Sequence, residues 1–161
     1  MLLKLHRDRR GQAFAESLFV IPLLFMLFIF IVEIGFLMYN WAIINFYTGN
    51  IAVTAATKGQ FTDEIRLRLA RNINDWTVNS QGYSYDVFST DPPLTPADGT
   101  VYIFGTDRNT PVQRGTYINV NVNYPWKFKF FIIDSLARFA VNEEKLRLKT
   151  HASVPSEVFM E

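Results

Sequence analysis

Between Ser17 and Tyr39 lie 23 consecutive residues with one charged side chain, Glu33, and one proline, Pro22. In lipid such a run is held to a helix, because only a helix satisfies its backbone N–H and C=O groups internally. At about 1.5 Å per residue it reaches about 35 Å, enough to cross a hydrocarbon core of about 30 Å. The run exceeds the apolar part of a usual signal peptide, and no small-residue cleavage pattern ends it. The residues that follow, NWAIINFYTGNIAVTAATK, contain no proline and one glycine, Gly49. There Trp41, Ile44, Ile51, Val53 and Ala55 are interleaved with Asn40, Asn45, Thr48 and Asn50. The pattern predicts one helix over 12–58, about 70 Å long. Its transmembrane segment is 17–39, and its second half emerges from the membrane with a mixed surface.

Charge orients this helix. Residues 1–11 hold Lys4, Arg7, Arg9 and Arg10 against Asp8, and Lys58 is the first basic residue after the apolar run. The positive-inside rule then places the N-terminus in the cytoplasm and residues 60–161 outside. The remainder of the chain is slightly acidic, which argues against direct nucleic-acid binding, since that needs basic charge on the folded part. With no cysteine, the fold has neither disulfides nor thiolate metal ligands. A hydrophobic share of 49% over 161 residues suits one packed domain and one additional element.

Two acids and a proline stand out within the helix. A carboxylate costs roughly 2.5 to 3.5 kcal/mol at the bilayer centre and less near its edge, so Glu16 calls for a partner. A cut after Gly11 would make Gln12 the first residue and Glu16 the fifth. The new α-amino group and Glu16, on one helix or on neighbouring ones, would attract strongly in low dielectric and fix axial register. Pro22 removes a backbone donor and predicts a soft point near Ser17 and Leu18. Glu33 lies about 25 Å beyond Glu16 along the axis, which makes it an acid of the outer membrane interface.

Residues 60–161 read as a compact extracytoplasmic α+β domain. Thr62 caps a short helix with Asp63 and Glu64 in its first turn. Ile65, Leu69, Ile73 and Trp76 are expected to form its buried face, and Arg66, Arg68 and Arg71 its solvated one. Four stretches alternate like strands: GYSYDVFST, TVYIFGT, TYINVNVNY and KLRLKTHASV. In the third, Ile118, Val120, Val122 and Tyr124 oppose Asn119, Asn121 and Asn123. In the fourth, Leu146, Leu148, Ala152 and Val154 oppose Lys145, Arg147, Lys149 and His151. Such alternation gives a sheet with one dry and one wet face, expected here as four-stranded, antiparallel and packed on helix. STDPPLTPADGT is an exposed loop joining the first two strands.

WKFKFFII interleaves Trp126, Phe128 and Phe130 with Lys127 and Lys129, then continues through Phe131, Ile132 and Ile133. It either plugs the core or forms a contact patch for a neighbouring subunit or the outer lipid surface. No phosphate-binding glycine loop, nucleophile elbow or paired-histidine zinc motif occurs. His6 and His151 have no second ligand at metal spacing, and Asp91, Asp98 and Asp107 fit no calcium loop. The expectation is a protein without catalytic residues, metal or cofactor.

The N-terminal stretch RRGQAFAESLFVIPLLF, with Gly11, Glu16 and Pro22, resembles the type IV prepilins. With the VEIG stretch at Glu33 it is similar to the TadE-like minor pilins, or pseudopilins, of tight-adherence pili. YINVNVNYPWKFKFF and KLRLKTHASVPSEVFME extend the likeness over nearly the whole chain. Ser17 stands where relatives usually carry an aromatic residue. The resemblance implies a pilin-like fold and cleavage between Gly11 and Gln12 by a membrane prepilin peptidase. It also implies a cytoplasmic assembly ATPase, a membrane platform protein and other pilin subunits as partners. The expected function is a filament subunit for adhesion or DNA transfer. A membrane-anchored scaffold of a secretion apparatus and a stalked cell-surface binding domain are the alternatives.

Overall fold

A computed structural model describes residues 9–78, 80, 82–91, 93–130 and 146–159, with the side chains of the first helix from Phe14 onward. The basic residues of 1–8, the run 131–133 and Lys145 lie outside the described residues. The chain folds as a long helix carrying an α+β head. Helix α1 spans Arg9–Lys58 and runs unbroken through Pro22. At 50 residues it is about 75 Å long. It stops at Gly59, whose φ of 65° favours glycine. Gly59 N–H bonds to Ala56 O at 3.2 Å and Gln60 N–H to Ala55 O at 3.1 Å, closing the last turn.

The chain then reverses. Helix α2, Asp63–Trp76, is capped by Thr62, whose hydroxyl accepts from Ile65 N–H. It runs back along α1, so that Val78 lies beside Asn40. Ile65, Arg66, Leu69, Ala70 and Ile73 are its buried residues. Two expectations fail on this helix. Trp76 is 56% exposed, because the next inward position of the stripe is taken by the small capping residue Thr77. Arg66 is fully buried rather than solvated; its place in the structure follows below.

Strands β1 (Ser84–Asp86), β2 (Thr100–Gly105), β3 (Tyr117–Pro125) and β4 (Arg147–Pro155) form one sheet in that order. The sheet is mixed, not antiparallel throughout. β2–β3 and β3–β4 are antiparallel, but β1 pairs with β2 in parallel, Ser84 opposite Thr100. A parallel pair needs a return connection of a dozen or more residues, and the proline-rich segment after Asp86 supplies it. The dry face falls where alternation places it, with Ile118, Val120, Val122 and Tyr124 buried. These side chains pack with Ile44, Ile51, Ala52 and Ala55 of α1 and with Phe61, Ile65, Leu69 and Ile73. Gly105 closes β2 at φ 151°, where an added Cβ would lie 2.0 Å from Asn119 O. Only glycine lets the two strands approach there.

Candidate functional site

The functional surface follows from how the head grips α1. Burial along the helix begins at Glu33 and recurs at Asn40, Ile44, Thr48, Ile51, Ala52, Ala55 and Ala56, a helical stripe. Below Glu33 the helix is mostly uncovered among the described residues: from Phe14 to Phe30 every side chain but the half-buried Ile29 is exposed, Phe19 to 77%. The uncovered length, residues 14–32, is about 28 Å, close to one hydrocarbon thickness. Among the described residues α1 is the helix long and apolar enough to cross a membrane.

The grip is polar at intervals of about two turns. Glu33 is 2% exposed and its Oε1 accepts from Lys129 N–H at 2.6 Å. Its Oε2 is buried with no hydrogen-bond partner among the described residues. Asn40 donates through Nδ2 to Val78 O at 2.9 Å and accepts through Oδ1 from Val78 N–H at 2.8 Å. The Thr48 and Thr150 hydroxyls meet at 3.1 Å. Ala56 O accepts from Glu157 N–H at 3.1 Å. Buried polar groups tolerate only the register that pairs them, so these contacts fix both the height and the rotation of the head on α1. Asn40→Leu leaves Val78 N–H and C=O without side-chain partners. We expect a loss of about 2 kcal/mol, read as a lower urea midpoint of the full chain in detergent micelles.

Two arginines perform the internal fastening that cysteines do elsewhere. Arg66 donates to Val87 O at 3.1 Å, Ser89 O at 3.4 Å and Thr106 O at 2.8 Å, and lies 4.3 Å from the Phe61 ring centre. Arg147 donates through Nε to Asn123 Oδ1 at 2.6 Å, and through its other nitrogens to Ala97 O, Thr100 O and Asn123 O. Burial pushes both guanidinium pKa values down. Lys127 pairs with Asp98 at 3.0 Å, and this hydrogen bond holds the Asp98 carboxyl below its usual range. The β1–β2 connection, expected as an exposed loop, is therefore tied at both ends.

The residues singled out in the sequence divide as follows. Gly11 and Gln12 lie within α1, and the Gln12 side chain is outside the described residues. Glu16 is on the uncovered segment with its side chain exposed, and Pro22 sits six residues further along the same segment. Glu33, assigned to the interface, also has a partner in its own head. The patch at 126–130 splits: Trp126 is buried, Phe128 and Phe130 are half-buried, and Lys127 and Lys129 are exposed. Sequence reasoning did not single out Asn40, Thr48, Arg66 or Arg147 as fastening residues. The available signal was the spacing of Glu33, Asn40, Thr48 and Ala56, each two turns from the last. Among the described residues no group of three His, Asp or Glu is placed to hold a metal. Comparison with known protein families, with curated proteins and with solved structures finds no match to this chain.

Proposed function

We propose that this chain is a TadE-like minor pilin or pseudopilin, a structural subunit inserted in the membrane by α1 and assembled into a filament by the same helix. The observation that supports the reading is the division of α1 into an uncovered apolar half, with Glu16 near its start, and a half packed against the head. A pure membrane anchor needs the first half alone. A packing subunit also needs its head held at one height and one rotation, so that repeated copies present the same surface. In this reading the N-terminus is cytoplasmic, and the peptidase, assembly ATPase and platform protein are the partners implied by the resemblance. Gly11 and Gln12 flank the cut.

The test is the mass of the intact protein isolated from cells with and without the prepilin peptidase. The expected result is a chain beginning at Gln12 when the peptidase is present and an unprocessed chain when it is absent. Full length in both strains would overturn the processed-pilin reading. N-terminal sequencing of subunits from sheared surface filaments tests assembly in the same way.

A further inference from the structure

We propose that the base of the head rests in the phospholipid headgroup layer of the bilayer that holds its own helix. Trp76, Trp41 and Tyr39 act there as interfacial aromatics, and Lys127 and Lys129 meet lipid phosphate. The inference rests on the membrane reading of α1 given above. It concerns a different surface, where the head meets α1.

Height carries the first part of the argument. Glu33 marks where the uncovered helix ends, and its bond to Lys129 N–H puts the segment that follows β3 at that level. Lys129 Nζ sits 4.5 Å from the ring centre of Phe36, one turn higher. The paired hydrogen bonds of Asn40 with Val78 bring the end of α2 to the level of Tyr39 and Trp41. From Glu33 to Trp41 is about 12 Å along the axis. With about 28 Å of apolar helix below, this band coincides with the polar layer that flanks a hydrocarbon core of about 30 Å.

Composition carries the second part. Tyr39, Trp41 and Trp76 are exposed to 44%, 47% and 56%, and they come from two separate helices. Tyrosine and tryptophan concentrate at membrane interfaces because one end is apolar and the other forms hydrogen bonds. Lys127 and Lys129 are exposed beside them and line a polar cleft of about 840 Å³ with Asn74, Asp75 and Tyr83. Asp75 in the lining, and Asp98 paired with Lys127 beside it, give this cleft both signs of charge. That suits a headgroup carrying phosphate and an amine, with phosphate toward the lysines. The Lys127–Asp98 pair is solvent-exposed and weak enough to exchange for phosphate.

The test uses the full chain reconstituted in vesicles of phosphatidylethanolamine and phosphatidylglycerol that contain a lipid with a nitroxide on its headgroup. In Trp41→Phe, Trp76 and the buried Trp126 are the remaining tryptophans. The nitroxide lipid is expected to quench about half of the emission, and aqueous acrylamide little of it. Adding Trp76→Phe should remove the lipid quenching. An inserted chain whose Trp76 is quenched by acrylamide but not by the nitroxide overturns the docking. A chain that fails to float with the vesicles overturns the membrane reading itself. Lys127→Glu with Lys129→Glu keeps the backbone bond to Glu33 and should reduce the lipid quenching. Unchanged quenching overturns the phosphate role.

Discussion

Arg66→Leu should lower the stability of the head by about 3 kcal/mol, roughly a hundredfold in the folded to unfolded ratio. The sign is not obvious, because burying a cation is expensive and an apolar replacement of a buried ion pair is often neutral or stabilising. What decides it is the nature of the partners. Arg66 bonds to carbonyls of Val87, Ser89 and Thr106, and these are backbone groups that no substitution at position 66 removes. Leucine would leave them facing an apolar side chain, each losing a bond to a charged donor. The charged arginine already bears a cost, since its Nε is buried without a hydrogen-bond partner among the described residues. The expected loss is therefore smaller than the three bonds would give by addition. Arg66→Lys should fall between, because one ammonium cannot reach all the carbonyls that the guanidinium fork spans. Urea unfolding of the full chain in micelles, followed by near-ultraviolet circular dichroism, measures both. A leucine variant as stable as the parent would show that the carbonyls are satisfied without Arg66.

This staple also shows where sequence reading stops. The alternation at 118–124 reports which side chains are dry, and the structure follows it at Ile118, Val120, Val122 and Tyr124, whereas Asn123, expected on the wet face, is buried and accepts from Arg147 Nε. The cap at Thr62 and the long helix were equally legible, because both are local. Alternation carries no information on strand direction, so the parallel β1–β2 pair was missed. The length of the proline-rich segment was the only cue to it. Arg66 and Trp76 were exchanged between faces for a related reason. Hydrophobicity alone places an arginine outside and a tryptophan inside, whereas the helix geometry gives position 66 to the core and the inward place beyond Ile73 to Thr77. Which carbonyls would need a donor depends on the segments that follow β1 and β2, which bring Val87, Ser89 and Thr106 to Arg66 from 21, 23 and 40 residues away. The same holds at Glu33. An acid near the end of an apolar run signals an interface, but its partner is a backbone N–H 96 residues away.

The contrast between the two acids of α1 leads to the largest functional effect expected. Glu33 accepts a hydrogen bond from its own head, while Glu16 lies about 25 Å lower, exposed on the apolar segment. In the proposed filament the Glu16 carboxylate meets the α-amino group of a neighbouring processed chain. Glu16→Ala then acts with opposite signs on two steps. It makes membrane insertion easier, by up to about 3 kcal/mol were the site at the bilayer centre and by less near the edge. It leaves the neighbour's ammonium buried without its partner, a loss of about 3 to 5 kcal/mol for a pair removed from water. Incorporation into filaments should fall by a hundredfold or more on that scale, while leader removal and membrane fractionation stay at parental levels. Glu16→Gln separates charge from hydrogen bonding: the amide still accepts from an ammonium but carries no charge, so incorporation should remain well below the parent. Immunoblotting of sheared filaments against the membrane fraction reads these quantities together. Glutamine incorporating as well as glutamate would eliminate the ion pair, and alanine doing so would eliminate any role of position 16 in register.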